Sequence, residues 1–132
     1  MIDRQEPLVL LDTSVLIAQE SERPRGHVPE RAAISVVTLA ELRLGVILAP
    51  DAATHDRRLR TLTRTERLFE ALPITVDVAA AFSEIVGEAR RRGRRPAVMD
   101  AWIAATAAAN NLPLYTQDAG FEDLRGVTVV LV

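Results

Sequence analysis

Short apolar runs alternate with longer amphipathic stretches along this 132-residue chain. Leu8 to Leu11 is an uninterrupted apolar run, and Asp12, Thr13 and Ser14 follow it. A run this short without polar positions is typical of a strand buried on both faces of a parallel sheet. The pattern therefore predicts a first strand that ends at Asp12 and a helix from Thr13 to about Gln19, with a carboxylate and two hydroxyls at their junction.

The rest of the chain repeats this alternation. Further strands are predicted at Ile34–Val37, Pro73–Val76, Leu114–Thr116 and Val127–Val132, and helices at Thr38–Ala49, Asp51–Ala71, Val78–Arg92 and Val98–Ala109. Thr38 and Glu41 have the spacing of a capping box, and Asp77 is a candidate helix cap. Residues 20–31 are rich in charge, proline and glycine and are predicted to be a loop. Alternating strands and helices predict one α/β domain over residues 1–132, with a mostly parallel sheet of four to five strands.

Composition excludes several classes of chemistry. The chain has no cysteine, and its sixteen basic residues are all arginine. The lack of cysteine excludes disulfides, thiolate zinc sites and thiol catalysis. The lack of lysine excludes a P-loop, a kinase strand lysine and Schiff-base chemistry, which all need that amine. The N-terminal stretch MIDRQEP has no basic n-region and no apolar run is of span length, so neither a signal peptide nor a membrane span is predicted. The absence of cysteine fits a cytoplasmic protein.

Four carboxylates occupy positions where they can meet. Asp12 and Asp118 each follow a predicted strand, while Glu41 and Asp100 fall in the first turn of predicted helices. The carboxyl ends of parallel strands share one edge of the sheet, where open α/β sheets bind ligands. Taken singly, each acid is better explained as a helix cap or a turn residue than as a metal ligand, because Asp and Glu favour helix starts.

Taken together, the four acids indicate a metal site. Asp12 and Asp100 lie in otherwise apolar segments, and a buried carboxylate needs a partner, a metal ion or a proton. Crowded carboxylates repel and raise each other's pKa values, and a divalent cation relieves this. An all-oxygen set suits Mg²⁺, with Mn²⁺ as a possible substitute. Removing the metal should then destabilise the fold, and Asp12→Asn should partly restore it.

Four motifs carry a resemblance to a known family. In chain order they are LLDTSVLI, TLAEL, MDAWIAATA and LYTQDAGF. Each occurs widely, but the four in this order resemble the PIN domain, and most closely the VapC-type ribonuclease toxins of toxin–antitoxin pairs. The resemblance spans Leu8 to Val132. It implies a three-layer, Rossmann-like α/β/α sandwich and a Mg²⁺-dependent endoribonuclease, the toxin of a type II toxin–antitoxin system.

The resemblance also implies residue roles and partners. The implied catalytic residues are Asp12, Glu41, Asp100, Asp118 and Thr116, and the four acids among them are the implied metal ligands. Thr13 and Ser14 resemble hydroxyl positions that orient water or substrate. Family members often carry a second acid before the phenylalanine of the last motif, where this chain has Gly120, and this departure would weaken a second metal position. The implied partners are an RNA substrate and a cognate antitoxin protein.

Two arginine clusters accompany the acids. The first is assigned to substrate positioning because it leads into the helix of Asp100, and consists of Arg90, Arg91, Arg92, Arg94 and Arg95. The second consists of Arg57, Arg58, Arg60, Arg64 and Arg67. For the second cluster, a solvated helix face is as good an explanation as RNA contact. Contacts to phosphate would give salt-sensitive binding with little sequence information.

The helix predicted at Thr38–Ala49 is apolar on two faces. One stripe consists of Leu39, Leu42 and Val46, and the other of Leu44, Ile47 and Leu48. A helix that is apolar on nearly all sides has more apolar surface than a single contact with the core can bury. A second copy of the chain in a homodimer, or a bound antitoxin helix, would cover the remainder; the alternative is a helix deep in the core.

Two other functions compete with the nuclease. A phosphoaspartyl protein also places an Asp at a strand end, but such proteins rely on a basic residue, usually lysine, at the phosphate, and this chain has no lysine. A catalytically inactive, PIN-like RNA-binding or scaffold module is the second alternative. The presence of all four acids argues against it.

Overall fold

The predicted alternation of strands and helices is present in a computed structural model of the chain, which describes residues 7–132. The five strands, β1 to β5, are Val9–Leu11, Ala32–Ser35, Glu70–Leu72, Leu114–Thr116 and Val129–Leu131. The five α-helices, α1 to α5, are Thr13–Glu20, Val36–Ile47, Ala52–Leu68, Val76–Arg91 and Val98–Ala109, and a short 3-10 helix covers Ala119–Asp123. Residues 1–6 of the polar N-terminal stretch lie outside the described residues.

The five strands form one parallel sheet in the order β3-β2-β1-β4-β5. This confirms the α/β fold and the predicted number of strands. β1 is central, since Leu10 is in register with Ala33 of β2 on one side and with Leu114 of β4 on the other. The carboxyl ends of β1, β2 and β4 therefore lie side by side.

Two hydrophobic cores lie on opposite faces of the sheet, which makes the fold a three-layer sandwich. Leu10 packs with residues of α4 and α5, including Ile85 and Ile103. Val9 and Leu11 pack on the other face with residues of α1, α2 and α3. Both faces of β1 are thus covered, which is why its sequence has no polar position. Among the described helices, none is long and apolar enough to cross a membrane.

The third strand lies three residues earlier than predicted. It is formed by Glu70–Leu72, so the prediction of a strand at Pro73–Val76 is wrong, and α3 ends at Leu68 instead of near residue 71. The Thr75 hydroxyl caps α4 by accepting the Val78 N–H at 3.2 Å, so the predicted cap at Asp77 is also wrong. The apolar residues at positions 73–76 resemble a strand in the sequence, but they form an exposed linker and the first residue of α4.

The second helix begins two residues before the predicted start. The Ser35 hydroxyl caps it by accepting the Val37 N–H at 3.0 Å, so the predicted capping box of Thr38 and Glu41 is wrong. Thr38 lies inside the first turn and is fully buried. Glu41 lies in the second turn, on the same helix face as Thr38, because residues three apart are neighbours on a helix.

The two apolar stripes of α2 have different surroundings. Leu42 and Val46 of the first stripe are buried against the core, but the second stripe is exposed. Ile47 is 76% exposed and Leu48 is 65% exposed. The alternative of a helix deep in the core is therefore wrong, and the outer stripe is uncovered in the single chain.

Candidate metal centre

Asp12 stands at the end of the central strand, where it caps α1. Its Oδ2 accepts hydrogen bonds from the hydroxyls of Ser14 at 2.7 Å and Thr116 at 2.9 Å. Each hydroxyl in turn accepts a backbone N–H at 3.0 Å, from Gln117 on Ser14 and from Asp118 on Thr116. Asp12 is only 4% exposed, and these bonds supply the partners that a buried carboxylate needs.

Glu41 reaches the same edge of the sheet from α2. The Thr13 hydroxyl donates to Glu41 Oε1 at 2.7 Å, and the hydroxyl oxygens of Thr13 and Thr38 are 3.0 Å apart. A hydroxyl has one proton, so a Thr13 that donates to Glu41 must accept from Thr38. Burial raises the pKa of Glu41; the Thr13 hydrogen bond opposes this, and the charge of Asp12 adds to it. Two hydroxyls in series thus orient this carboxylate.

Asp100 lies in the first turn of α5, as predicted. Burial is the largest cause that raises its pKa to about 6, and the charges of Asp12, Asp118 and Glu41 add to the shift in that order. Asp100 is therefore the residue on which the other three acids act together. None of the ion pairs among the described residues involves it.

Asp118 is the most exposed of the four acids and caps the 3-10 helix. Its Oδ1 accepts the Gly120 N–H at 2.8 Å. A Cβ at position 120 would lie only 3.0 Å from that same oxygen, closer than about nine in ten real Cβ contacts. The absence of a side chain at Gly120 therefore lets the Asp118 carboxylate fold over the start of the 3-10 helix.

The donor set fits a divalent cation in its chemistry. No three carboxylates among residues 7–132 are close enough together, as they stand, to hold an ion. They are nevertheless near enough for three of them to raise the pKa of the fourth, Asp100. Carboxylate oxygens are the ligands that Mg²⁺ and Mn²⁺ prefer, and a cation among them would relieve the repulsion.

Arg92, one of the five arginines assigned to substrate, is held by acids of its own chain. Its guanidinium donates to Glu88 at 2.7 and 2.8 Å and to the backbone oxygen of Asp123 at 2.8 Å. These bonds connect the end of α4 to the 3-10 helix. Arg92 holds the pKa of Glu88 below its usual range, mainly through their hydrogen bond. This geometry favours a structural role for Arg92 over contact with substrate.

The other four arginines of this run are exposed but face different surroundings. Arg94 and Arg95 line a cavity that also reaches Asp100. Arg91 lines a separate depression with Glu84 and Glu88. Arg90 is exposed on the last turn of α4. The predicted cluster therefore does not act as one surface.

The second arginine cluster lies along α3. Arg58 donates to the backbone oxygen of Gly45 at 2.6 Å and helps to attach α3 to α2. Arg57 lies 3.8 Å from Glu20, a loose ion pair. The rest of the cluster is exposed and consists of Arg60, Arg64 and Arg67. Neither of the two explanations for this cluster is favoured by these contacts.

Comparison with known proteins gives a consistent result. The PIN domain model matches residues 9–127. The chain belongs to the PIN domain family. Ribonuclease VapC5 of Mycobacterium tuberculosis is 42% identical over 123 residues, which are 92% of this chain and 90% of that protein. The resemblance drawn from the four motifs is thereby confirmed.

Solved structures agree with the sequence comparison. A crystal structure of VapBC-5, a member of the VapBC family of toxin–antitoxin systems from M. tuberculosis, has a TM-score of 0.82 at 40% identity and covers 96% of this PIN domain and 98% of that chain. The crystal structure of FitAcB from Neisseria gonorrhoeae has a TM-score of 0.73 at 32% identity, with coverage of 92% and 95%.

Two residues that shape the centre of this PIN domain were missed from the sequence. The capping-box spacing predicts a helix cap at Thr38, but the Thr38 hydroxyl faces Thr13. Its position one turn before Glu41 on the same helix face was the available signal. The family pattern marks Gly120 only as the absence of an acid, whereas its missing side chain makes room for the carboxylate of Asp118. No sequence pattern indicates that contact.

Proposed function

We propose that this PIN domain is a metal-dependent endoribonuclease and the toxin of a type II toxin–antitoxin pair. The observation that carries the proposal is the meeting of four acids at one edge of the sheet, where three of them raise the pKa of Asp100. Relatives that are 39 to 44% identical are named ribonucleases, which supports RNA as the substrate. The reaction is the hydrolysis of a phosphodiester bond.

Mg²⁺ is the proposed cation, with Mn²⁺ as a substitute. Asp12 and Asp100 are its main proposed ligands, Asp118 completes the set directly or through water, and Glu41 orients water or holds a second ion. A divalent cation bound there supplies a more acidic water and neutralises charge at the phosphoryl group. The all-oxygen donor set supports this assignment.

The hydroxyl residues take a different role from the one first predicted. Ser14 and Thr116 direct their protons at Asp12, and Thr13 directs its proton at Glu41. Because each hydroxyl has a single proton, these groups orient the acids. Contact with the RNA backbone is then left to the arginines.

The proposed partner is a cognate antitoxin, and the proposed place of action is the cytoplasm. The similar solved structures include toxin–antitoxin complexes. The exposed stripe of Leu44, Ile47 and Leu48 on α2 is an apolar surface that such a partner, or a second copy of the chain in a homodimer, would cover. A membrane partner is not proposed.

Cleavage of RNA by the purified protein tests the function directly. A panel of structured RNAs should be cut in Mg²⁺ or Mn²⁺ and remain intact in EDTA. Asp100→Asn should abolish the cleavage, while Asp77→Asn, the same chemical change at an exposed position on α4, should leave it unchanged. If the wild type cuts no RNA and calorimetry detects no Mg²⁺ binding, the inactive scaffold is the correct reading.

A further inference from the structure

We propose that the cavity beside Asp100 binds an RNA phosphate adjacent to the one that reacts, and that Arg95 is the residue that binds it. The cavity has a volume of about 320 Å³ and lies between the start of α5 and the 3-10 helix. Arg95 and Asp100 both line it, so it reaches one of the four acids of the candidate centre. The proposal rests on the ribonuclease function and deepens it by assigning a subsite.

Arg95 is the free cation of this cavity. Its side chain makes no ion pair and no hydrogen bond with any of residues 7–132, whereas Arg94 lies 3.5 Å from an oxygen of Asp123. Asp123 also lies 3.4 Å from Arg92, so this acid already faces two arginines. The charge of Arg95 is therefore available to a ligand.

The walls of the cavity leave room for a phosphate close to Arg95. Gly120 contributes backbone only, and Phe121, which is 2% exposed, also lines the cavity. The acids that line the cavity are Asp100 and the paired Asp123. No other carboxylate on the walls competes for the guanidinium, which binds phosphate through two parallel hydrogen bonds.

An RNA strand supplies the matching charge. Each of its linkages carries one negative charge, so a strand that reacts at the acidic edge also brings its neighbouring phosphates to the surface beside Asp100. Without a cation near that surface, the carboxylates would repel those phosphates. Arg95 offsets this repulsion next to the reacting bond.

Arg91 offers a matched control within the same arginine run. It has the same charge and is also exposed, but it lines the depression formed with Glu84 and Glu88, which shares no lining residue with the cavity of Arg95. Arg91→Gln and Arg95→Gln therefore change the net charge equally. They differ in whether the lost cation faces the cavity.

The first experiment measures RNA binding as a function of salt. Fluorescence anisotropy with a labelled single-stranded RNA of mixed sequence, in EDTA, gives the slope of log K against log salt. Arg95→Gln should reduce the magnitude of this slope by about 0.7, the contribution of one phosphate contact on a single strand. Arg91→Gln should leave the slope unchanged, and the melting temperature of both variants should equal that of the wild type.

The second experiment measures cleavage of an RNA that the wild type cuts. Arg95→Gln should raise KM with kcat unchanged. Arg95→Lys should restore KM only in part, because lysine cannot form the bidentate hydrogen bonds that arginine makes to phosphate. A neutral methylphosphonate at the linkage next to the cut should weaken the wild type but not Arg95→Gln. Equal slopes and equal KM for Arg95→Gln and wild type would overturn the subsite and leave the nuclease intact, whereas a wild type that cuts no RNA would overturn the proposed function itself.

Discussion

At the scale of single residues, Asp100 is the acid whose charged form is most strongly destabilised by its surroundings. Its pKa is raised from 3.8 to about 6 by burial and by three neighbouring acids. Asp12 is a poorer probe of this repulsion than first expected, because its carboxylate accepts two hydroxyl hydrogen bonds that Asn would disturb. The stability test therefore moves from Asp12 to Asp100.

Asp100→Asn should raise the stability of the metal-free protein. Because the pKa of Asp100 is higher in the folded state than in the unfolded state, this group does not destabilise the fold below pH 3.8. The fold loses stability as the pH rises from 3.8 through about 6 and the carboxylate becomes charged. At pH 7 to 8 the gain should be about 1 kcal/mol, reduced from about 3 because Asp100 is partly open to solvent. In EDTA the melting temperature should rise by about 3–5 °C at pH 7.5 and not at all near pH 3.5.

Asp77→Asn, at an exposed position, should give no such rise. In the wild type, added Mg²⁺ should raise the melting temperature, since a ligand of the folded state stabilises it, and Asp100→Asn should weaken that response. If neither EDTA nor Asp100→Asn changes the melting temperature, the four acids do not act together.

Gly120→Ala should disturb Asp118 through a direct contact. The added Cβ would lie 3.0 Å from Asp118 Oδ1, so the carboxylate must shift by a few tenths of an ångström, which weakens the hydrogen bond that it accepts from the Gly120 N–H. We expect lower thermal stability and a weaker Mg²⁺-induced rise in melting temperature. Gly87→Ala is the control, because nothing lies within 4 Å of its added Cβ. In the middle of α4 this control should stabilise the protein by about 0.5–1 kcal/mol.

At the scale of elements, ion pairs connect the end of α4 to the 3-10 helix that Asp118 caps. Arg92 joins Glu88 on one element to Asp123 on the other. Arg92→Gln should lower the urea midpoint, and the difference from wild type should shrink in high salt because exposed charges are screened. Arg91→Gln should leave the midpoint within error. Equal midpoints for Arg92→Gln and wild type would show that the ion pairs do not stabilise this connection.

Acid should weaken the same connection. The pKa of Glu88 is lowered, chiefly by its hydrogen bond from Arg92, so its contribution is present above the ordinary value of 4.5 and is lost as pH falls below it. The destabilisation caused by Arg92→Gln should therefore disappear in acid.

The elements that were predicted well from the sequence are those that are buried along most of their length. β1 and α5 are buried along most of their length, so the apolar pattern alone located them. β3 is an edge strand of only three residues with partly exposed side chains, and its sequence EAL has no strand signal. Its place is set by pairing with β2, a tertiary contact that no local pattern contains.

The candidate centre was predicted unevenly for a similar reason. The four acids could be found because strand ends and motifs fix their positions along the chain. Their hydrogen bonds to Ser14, Thr13 and Thr116 join distant segments, and only the fold defines which hydroxyl meets which acid. The division of the arginines between structure and substrate depends on side-chain packing, which the sequence does not encode locally.

At the scale of the whole molecule, the exposed stripe of α2 predicts association. Ile47→Ser with Leu48→Ser should leave the stability of the free chain within about 0.5 kcal/mol, because both side chains are exposed. Leu42→Ala, on the buried stripe, should cost about 2–4 kcal/mol. Light scattering should give a wild-type mass above the 14.5 kDa of one chain and a lower mass for the double variant.

The same double variant should lose binding to the product of a neighbouring antitoxin gene if that protein covers the stripe. Retention of both the mass and the partner would place the association surface elsewhere on the molecule.

The central position of β1 has a consequence for how the protein is made. Of the five strands β1 is synthesised first, but its two neighbours in the sheet are β2 and β4, and β4 is the fourth strand to be synthesised. Asp12 and the Thr116 hydroxyl that holds it are 104 positions apart in the chain. The acidic edge can therefore be complete only after Thr116 and Asp118 have been synthesised, so the site forms late in the synthesis of this domain.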